Sequence, residues 1–388
     1  MDFEDTPSEA EFRTELRDWL AEHLVGEYRS YLGVGGPTDD SHWEIRLAWE
    51  RELAAGRWLN VTWPREYGGR GGTLEHEVIT YLEFARVRAP YWVGVQGRDL
   101  FGPTLLHYGA DELKARFLPP IAAAHEFWSQ GFSEPEAGSD IASLRTRARL
   151  DGDQWVIDGQ KTWNTFGAHA DFIYTLCRTD PASERHRGIS MLIVPTDQPG
   201  VDVRPIRTIT GTYEFCEVFF TEARAPKEFV VGEVDQAWAV MMGALGQERA
   251  LTTLPMILGF RYEVEAAIEV ARRRRTSGDP VVRNALARAF SGMKLIEWTN
   301  YRMLTGLLRS GTLGPESSVA KLMWAHWHRD MGELSMRLEG IASDLVGDDY
   351  HLTLTQQAFL DARAQTIYGG SSEVQRNIVG ERALGLPK

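Results

Sequence analysis

The chain has 388 residues, 43% of them hydrophobic, which is enough apolar material for two or three structural units. Its 42 lysines and arginines against 55 aspartates and glutamates give a net charge of −13, which disfavours nucleic acid and anionic lipid as partners. Only two cysteines are present, too few for a disulfide framework or a four-cysteine metal site.

The N-terminal part of the chain is helical by its pattern. The first residues are acidic and polar and no run approaches the roughly 20 apolar residues of a membrane span, so we expect a cytoplasmic protein. Over residues 9–121, apolar side chains such as Phe12, Leu16 and Leu20 recur at steps of three and four. A loop rich in glycine, Trp63–Gly72, interrupts these helices.

A β pattern follows over residues 127–231. Short runs rich in β-branched and aromatic residues alternate with turn signals. The runs are Trp155–Ile157, Phe172–Leu176, Ser190–Val194 and Val218–Phe220. Asp151-Gly152-Asp153 and Asp158-Gly159 are both typical of hairpin turns. We therefore predict a middle β domain.

The helical period returns after Gly232 and continues to about residue 363. Leu295, Trp298, Met303 and Leu307 form one of its long apolar faces. The pattern predicts an antiparallel helical bundle and an α+β multidomain fold. We place the domain boundaries at 1–121, 122–232 and 233–388.

Arg272 to Arg275 form the one dense basic run. Such a run is able to meet phosphate groups. At the end of a helix, however, it is also typical of a solvated face or of favourable pairing with the helix dipole. Both interpretations stay open.

The segment from Gln130 to Asp140 lies at the entry to the β domain. Pro135 and Gly138 predict a tight turn, in which Ser133, Ser139 and backbone N–H groups are able to converge on an anion such as a pyrophosphate. Clusters of serine and glycine are also common in ordinary loops. The local pattern does not decide between the two.

A predicted strand, Gly159–Gly167, places Trp163 and Thr165 on one face because side chains alternate along a strand. The pair offers a flat aromatic wall and a hydroxyl, which suits an isoalloxazine ring. A core tryptophan beside a strand threonine would have the same pattern.

One carboxylate stands in an apolar stripe. Met241, Leu245, Glu248 and Thr252 are spaced to share one helix face. Burial without a cation raises a carboxyl pKa, as a base working near neutral pH requires. Pairing of Glu248 with Arg249 or with an arginine of another helix is the alternative.

The C-terminal run Ile367–Arg382 contains a helix break. Gly369 and Gly370 end the preceding helix, and Ser371 or Ser372 is placed to cap a new one beginning at Glu373. The free N–H groups there suit a carbonyl or phosphate oxygen. A plain joint between two helices would look the same.

Four short motifs lie in order along nearly the whole chain. They are Trp-Pro-x-Glu-Tyr-Gly-Gly at Trp63–Gly69, Phe-Ser-Glu-Pro-x-Ala-Gly-Ser-Asp at Phe132–Asp140, Gly-Gln-Lys-x-Trp at Gly159–Trp163 and Gly-Gly-Ser-Ser-Glu-Val-Gln-Arg at Gly369–Arg376. Together they resemble the acyl-CoA dehydrogenase family. The resemblance implies an N-terminal helical domain, a middle β-barrel and a C-terminal four-helix bundle. It also implies FAD bound between barrel and bundle and reaching a neighbouring subunit.

The resemblance also implies roles for individual residues. FAD would be held by Gln130, Phe132, Ser133, Gly138, Ser139, Trp163, Thr165, Arg274, Ser371 and Glu373. Among these, Arg274 would reach the cofactor across the subunit boundary. The acyl-CoA substrate would contact Ser139, Arg249 and Gly369. No residue is assigned to a metal.

The catalytic base departs from the commonest family pattern. Many members carry Tyr-Glu-Gly-Thr, with that glutamate as base, where this chain has Tyr368-Gly369-Gly370-Ser371. Gln247-Glu248-Arg249 matches the earlier helix that holds the base in the branch resembling isovaleryl-CoA and long-chain dehydrogenases. The resemblance therefore implies Glu248 as base. It also suggests actinobacterial members that act on fatty acids or steroid side chains.

Other departures affect the expected assembly. Ser277 stands where many relatives have phenylalanine, and Ala285 where a flavin-contacting glutamine is common. The chain also lacks the usual Gly-Gly-x-Gly at Leu338–Ile341. We expect an electron-transfer flavoprotein or similar acceptor and a homodimer or dimer of dimers. A heterotetramer, in which this chain is an FAD-sharing partner subunit, is an alternative, as is a flavin enzyme acting on a carrier-bound thioester.

Overall fold

A computed structural model describes residues 4–36, 39–243, 253–310, 314 and 316–387. The chain divides into two compact units. The first runs from Asp2 to Glu248, except for Ile209–Gly211, which group with the second unit, Arg249–Lys388. The order of helices, strands and helices confirms the predicted fold class.

The first unit begins with five α-helices. They are α1 Pro7–His23, α2 Trp43–Ala55, α3 Leu74–Val87, α4 Gly102–Tyr108 and α5 Asp111–Ala122, and a π-helical segment, Gln96–Phe101, leads into α4. A capping box starts α1: Glu9 N–H donates to Thr6 Oγ1 and Thr6 N–H donates to the Glu9 carboxylate. Leu16 and Leu20 are the fully buried side chains of this helix. The predicted apolar period therefore marks its inner face.

Glu83 of α3 lies buried among three guanidinium groups, with 2% of its side chain exposed. Its oxygens lie 2.9 Å from Arg13 Nη1 and 2.9 Å from Arg17 Nη2, both on α1, and 2.5 Å from Arg86 Nε. Burial by itself would raise the pKa of Glu83, but the hydrogen bonds from the three arginines outweigh it and lower the pKa to about 2. The carboxylate therefore ties α1 to α3 in its charged form.

We expect the free energy of unfolding to fall as the pH drops from 4.5 towards 2, because the unfolded chain takes up the Glu83 proton first. Glu83→Gln should remove this part of the acid dependence and destabilise the chain at pH 7. Urea unfolding followed between pH 2 and 7 measures both effects. Glu22→Gln, which alters an exposed carboxylate on α1, is the control. Parallel curves for the two variants would contradict the expectation.

The strands of the first unit form one sheet. They are β1 Trp128–Gly131, β2 Arg147–Asp151, β3 Gln154–Thr165, β4 Phe172–Arg178, β5 Ile189–Pro195, β6 Val201–Ile206, β7 Phe215–Pro226 and β8 Val230–Val231. The hydrogen-bonded order is β6-β7-β3-β2-β4-β5-β8, and β1 pairs with β4 in parallel.

Side chains from the strands at both ends of the hydrogen-bonded order pack in one buried core. Val201 and Val203 of β6 pack on the same cluster as Leu192 and Val194 of β5 and Val230 of β8. Strands that are far apart in the hydrogen-bonded order meet in this way only when the sheet curves around its interior. The middle domain therefore has the predicted barrel form.

One of the two predicted hairpin turns is confirmed. β2 and β3 pair as a hairpin through Gly152, whose φ is +65°. The prediction of a turn at Asp158-Gly159 is wrong, because both residues lie inside β3 at a bulge. Gly159 has a φ of +154°, and an added Cβ would lie 2.5 Å from Thr146 Oγ1. Glycine is needed there for a close backbone approach, so the same residue pair marks a bulge.

The second unit is helical. Its helices are α6 Thr253–Arg273, α7 Pro280–Ser310, α8 Glu316–Glu339, α9 Leu354–Ala364 and α10 Ser372–Ile378. Residues of α6, α7 and α8, among them Phe260, Ile296 and Leu334, pack in one core. No helix in the described part of the chain has both the length and the apolar character that crossing a membrane requires.

The predicted apolar face of α7 is only partly buried. Met303 is buried, but Leu295 is 52% exposed and Trp298 is 58% exposed, while Met293 and Ile296 face the core instead. α7 thus carries apolar side chains on two sides, and the described helices cover one of them. An exposed apolar pair of this size is typical of an interaction surface.

Candidate functional site

The loop after β1 makes the predicted tight turn. Glu134 and Ala137 exchange two backbone hydrogen bonds of 3.0 Å each. Phe132, at its start, is buried edge-on against Tyr174, with ring centroids 5.6 Å apart. Gly138 and the residues after it are exposed, and a Cβ added at Gly138 would meet nothing within 4 Å. The loop therefore presents open backbone at its outer end.

A buried ion pair anchors this loop. Lys161 Nζ, fully buried, lies 2.8 Å from Glu134 Oε1 and donates to the Phe132 carbonyl at 3.1 Å. The Glu134 carboxylate also accepts the backbone N–H of Arg145 at 2.6 Å and of Thr146 at 2.8 Å. Burial would raise the pKa of Glu134, but these donors lower it. Neither Glu134 nor Lys161 was predicted as a site residue, although each lies inside a motif.

Trp163 is an exposed residue on the barrel surface. A bulge between Lys161 and Asn164 gives it a φ of +62°, and 58% of its surface is exposed. Asn164 turns inward and donates to the Gln130 carbonyl at 3.0 Å, whereas Thr165 is only half-buried. Trp163 and Thr165 therefore lie on the outward side together. An indole held exposed by an uncommon backbone conformation is typical of a binding surface.

The Gln130 side chain is oriented by residues on the face of the sheet that packs against the N-terminal helices. Its Nε2 donates to the Tyr174 hydroxyl at 3.2 Å. The Tyr174 hydroxyl in turn lies 3.5 Å from Gln96 Oε1, in the π-helical segment before α4. These contacts fix the direction of the Gln130 amide.

In the second unit, Gly369 and Gly370 form the predicted break, with φ angles of +65° and +94°. Of the two predicted caps, Ser371 is the one used: its hydroxyl accepts from Val374 N–H, and α10 begins at Ser372 rather than at Glu373. Among the described residues, the Gly369 N–H has no acceptor, while its carbonyl accepts Gln375 Nε2 at 2.8 Å. The Gly369 N–H is thus a backbone donor that no described residue uses.

A cleft of about 390 Å³ lies at the start of α10. Its lining consists of His326, Arg329, Thr366, Ile367, Ser371, Ser372, Glu373 and Arg376. Burial, together with the charges of Arg329 and Arg376, lowers the pKa of His326, whose Nε2 lies 3.0 Å from Ser372 Oγ. The cleft brings two predicted residues, Ser371 and Glu373, together with two arginines that were not predicted. Arg376 lies within a motif, but nothing in the sequence marks Arg329.

The arginine run ends α6. Arg272 lies 2.5 Å from Glu269, and both Arg273 and Arg274 pair with Glu339, at 2.9 and 3.3 Å. Arg274 remains partly exposed. The run therefore lies at a helix end, where its arginines pair with carboxylates, and the phosphate interpretation stays a prediction. A cofactor contact of Arg274 stays a prediction.

Glu248 and Arg249 lie outside the described residues. The residues just before them, 237–243, are helical. Met241, the first member of the predicted stripe, is buried in the core of the first unit.

Family models of the acyl-CoA dehydrogenase N-terminal, middle and C-terminal domains match residues 6–125, 129–223 and 235–384. The chain belongs to the acyl-CoA dehydrogenase family. It is accordingly an FAD-dependent oxidoreductase acting on CH–CH bonds. The barrel surface fits that cofactor, since it offers an exposed indole, a neighbouring hydroxyl and a loop with open backbone.

Relatives within the family extend over the whole chain. "Acyl-CoA dehydrogenase IpdE1" of Mycobacterium tuberculosis is 44% identical over 97% of this chain and 98% of its own. "Acyl-CoA dehydrogenase FadE26" of the same organism is 34% identical over 99% of this chain and 98% of its own.

Two solved acyl-CoA dehydrogenase structures are similar over all of both chains. The "Tcur3481-Tcur3483 steroid ACAD" has a TM-score of 0.86 and 30% identity, with 100% of each chain covered. The "ChsE4-ChsE5 complex from Mycobacterium tuberculosis" has a TM-score of 0.81 and 30% identity, again with 100% of each chain covered.

Proposed function

We propose that Glu248 removes the α-proton of an acyl-CoA thioester while a hydride leaves the β-carbon, so that a Cα–Cβ double bond forms. FAD, when bound, accepts the hydride. The observation that supports this assignment is Gly369. The turn supplies a backbone donor and no carboxylate, so the base has to come from another segment, and Gln247-Glu248-Arg249 is the family match.

The Gly369 N–H is the donor we assign to the thioester carbonyl. Removing the α-proton places negative charge on that oxygen, and a fixed N–H stabilises the charge as it develops. Support comes from the N–H itself, which has no acceptor among the described residues. The φ of +65° favours glycine here. Arg249 and Ser139 complete the proposed substrate contacts.

For the cofactor, we assign Trp163 and Thr165 to the ring. Gln130, Phe132, Ser133, Gly138 and Ser139 form the barrel part of the site, with Ser133, Gly138 and Ser139 nearest the pyrophosphate. The open backbone after Gly138 supports an anion contact. Arg274, Ser371 and Glu373 are the remaining proposed contacts, in this or a neighbouring copy.

We propose that the acyl group is ring-bearing. The name of one similar structure specifies a steroid acyl-CoA dehydrogenase. A base outside the Gly369 turn is also compatible with branched, long or ring-bearing acyl groups. A panel of CoA esters with straight, branched and steroid-derived acyl chains, assayed with an artificial electron acceptor, tests this. A preference for short straight chains would contradict it.

Association with a second chain is part of this proposal. Both similar structures cited above carry the names of two proteins. Leu295 and Trp298 on α7 form an apolar surface that no helix in the described part of the chain covers. The second candidate function, an FAD-sharing partner subunit, follows from the same observations.

We expect the chain, purified alone, to be yellow with about one flavin per chain, and anaerobic addition of its CoA ester to bleach the flavin. Absorbance spectra measure both. A colourless chain that gains flavin only with a related chain supports the partner subunit instead. Flavin that bleaches only with an acyl group on a carrier protein would indicate the carrier-bound alternative.

A further inference from the structure

His328 of α8 is a buried histidine whose two ring nitrogens both face acceptors. Its Nε2 lies 3.0 Å from a carboxylate oxygen of Glu263 on α6. Its Nδ1 contacts Oε1 of Gln365, the residue that follows α9. The Gln365 amide is oriented by Asp361, whose carboxylate accepts Gln365 Nε2 at 2.9 Å. Because a carboxylate only accepts, the Gln365 oxygen has to face the histidine.

Two acceptors require two N–H donors, so the arrangement calls for the imidazolium form of His328. Burial would lower the pKa of His328, but Glu263 and Gln365 outweigh it and raise the pKa to about 9. The charged groups around the ring are Glu263 from α6, Asp361 from α9 and Lys321 from its own helix. Phe260 covers the ring at a centroid distance of 4.9 Å.

Gln365 is also the first residue of the segment that ends at the turn Gly369-Gly370. The buried Lys321 ammonium donates to the Gln365 carbonyl, so Gln365 is held by both side chain and backbone. Lys321 Cε also lies 3.6 Å from the point where a Cβ of Gly369 would stand. At the other end, Gln375 Nε2 donates to the Gly369 carbonyl. Residues 365–370 are therefore anchored at both ends.

We propose that His328, protonated on both nitrogens, is a positioning residue that holds the Gln365–Gly370 segment so that the Gly369 N–H keeps its direction towards the substrate carbonyl. The inference rests on the proposed role of Gly369. Loss of one ring proton turns a lone pair towards an acceptor and replaces a hydrogen bond by repulsion. The segment then loses one of its anchors.

The pH dependence follows with a definite sign. The stabilising effect of His328 is complete below pH 6.5, its ordinary pKa, and is lost as the pH rises through about 9. We expect kcat/KM of the wild-type holoenzyme, with its best CoA ester, to fall as the pH rises over the same range. Its pH profile should therefore have an alkaline limb. Flavin content should not change over that range.

The test compares His328→Leu with His351→Leu, which alters an exposed histidine of the same unit. We expect His328→Leu to lower kcat/KM by about 10-fold or more, which is part of the ~100- to 1000-fold effect of removing a donor to a developing charge, and to lose the alkaline limb. His351→Leu should match the wild type. Gln365→Met should have a similar effect, and the double variant should be little worse than either single one.

A retained alkaline limb in His328→Leu, with kcat/KM unchanged, would overturn the inference. If His328→Leu does not fold, His328→Gln, which keeps one donor, takes its place and has to shift or remove the limb. The carbonyl stretch of a bound CoA ester labelled with 13C at the thioester, measured by difference infrared spectroscopy, gives a readout that needs no turnover. A band unshifted between wild type and variant contradicts the positioning role.

Comparison with Glu248→Gln keeps this inference apart from the proposed function. If Glu248→Gln is inactive while His328→Leu is normal, only the role of His328 is wrong. If Glu248→Gln turns over normally, the proposed function is wrong, whatever the His328 variants do.

Discussion

Glu248→Gln is expected to keep its FAD and to lose turnover by about two to four orders of magnitude, the usual contribution of a general base. Glutamine has nearly the same shape but no basic oxygen, so the α-proton stays in place. Rapid-mixing measurement of flavin reduction by the CoA ester reports this step directly, and the flavin absorbance reports the bound cofactor.

Glu233→Gln is the matched control for this variant, because it removes an exposed carboxylate shortly before the helical residues 237–243. It should reduce its flavin at the wild-type rate. Near-normal flavin reduction by Glu248→Gln would show that another group is the base. Loss of FAD from Glu248→Gln would instead point to a structural role for this carboxylate.

The second large effect is expected for Lys161→Met. The substitution leaves the Glu134 carboxylate buried without its cation, and breaking a buried pair in this way costs about 3–5 kcal/mol. It also removes the donor to the Phe132 carbonyl, so the loop that presents Ser133 and Gly138 loses its anchor. We expect a lower thermal midpoint and weaker FAD binding, measured by thermal unfolding and by flavin fluorescence titration.

Two further variants separate charge from position. Glu134→Gln combined with Lys161→Met leaves no unpaired buried charge, so part of the lost stability should return. Lys114→Met breaks a pair with the exposed carboxylate of Asp111 and should cost at most about 1 kcal/mol. Full stability and unchanged FAD affinity in Lys161→Met would mean that the buried pair does not hold the loop.

Much of the fold could be predicted because helices and strands repeat their apolar residues with different periods. The error at Asp158-Gly159 arose because glycine after aspartate serves both a turn and a bulge. The exposure of Leu295 and Trp298 could not be predicted, because an apolar helix face has the same pattern whether this chain or another covers it. The periodicity shows that a helix face is apolar, but only the packing shows which residues cover that face.

The candidate site, too, could be predicted from the sequence only in part. Its motifs are contiguous, so Trp163, Gly369 and Ser371 could be named from sequence alone, although the choice of Ser371 over Ser372 as the cap needed coordinates. The Glu134–Lys161 pair could not be found in this way, because the two residues are 27 positions apart. Their proximity depends on the path of the barrel strands.

The sequence by itself determined the family, the order of the three regions and the absence of a carboxylate from the turn Gly369–Ser371, because each of these depends on residue type and local spacing. Only the tertiary structure decided that Lys161 neutralises Glu134 and that His328 has two acceptors, Glu263 and Gln365. Burial and hydrogen bonding set the charge of such groups, and both arise when distant segments pack together.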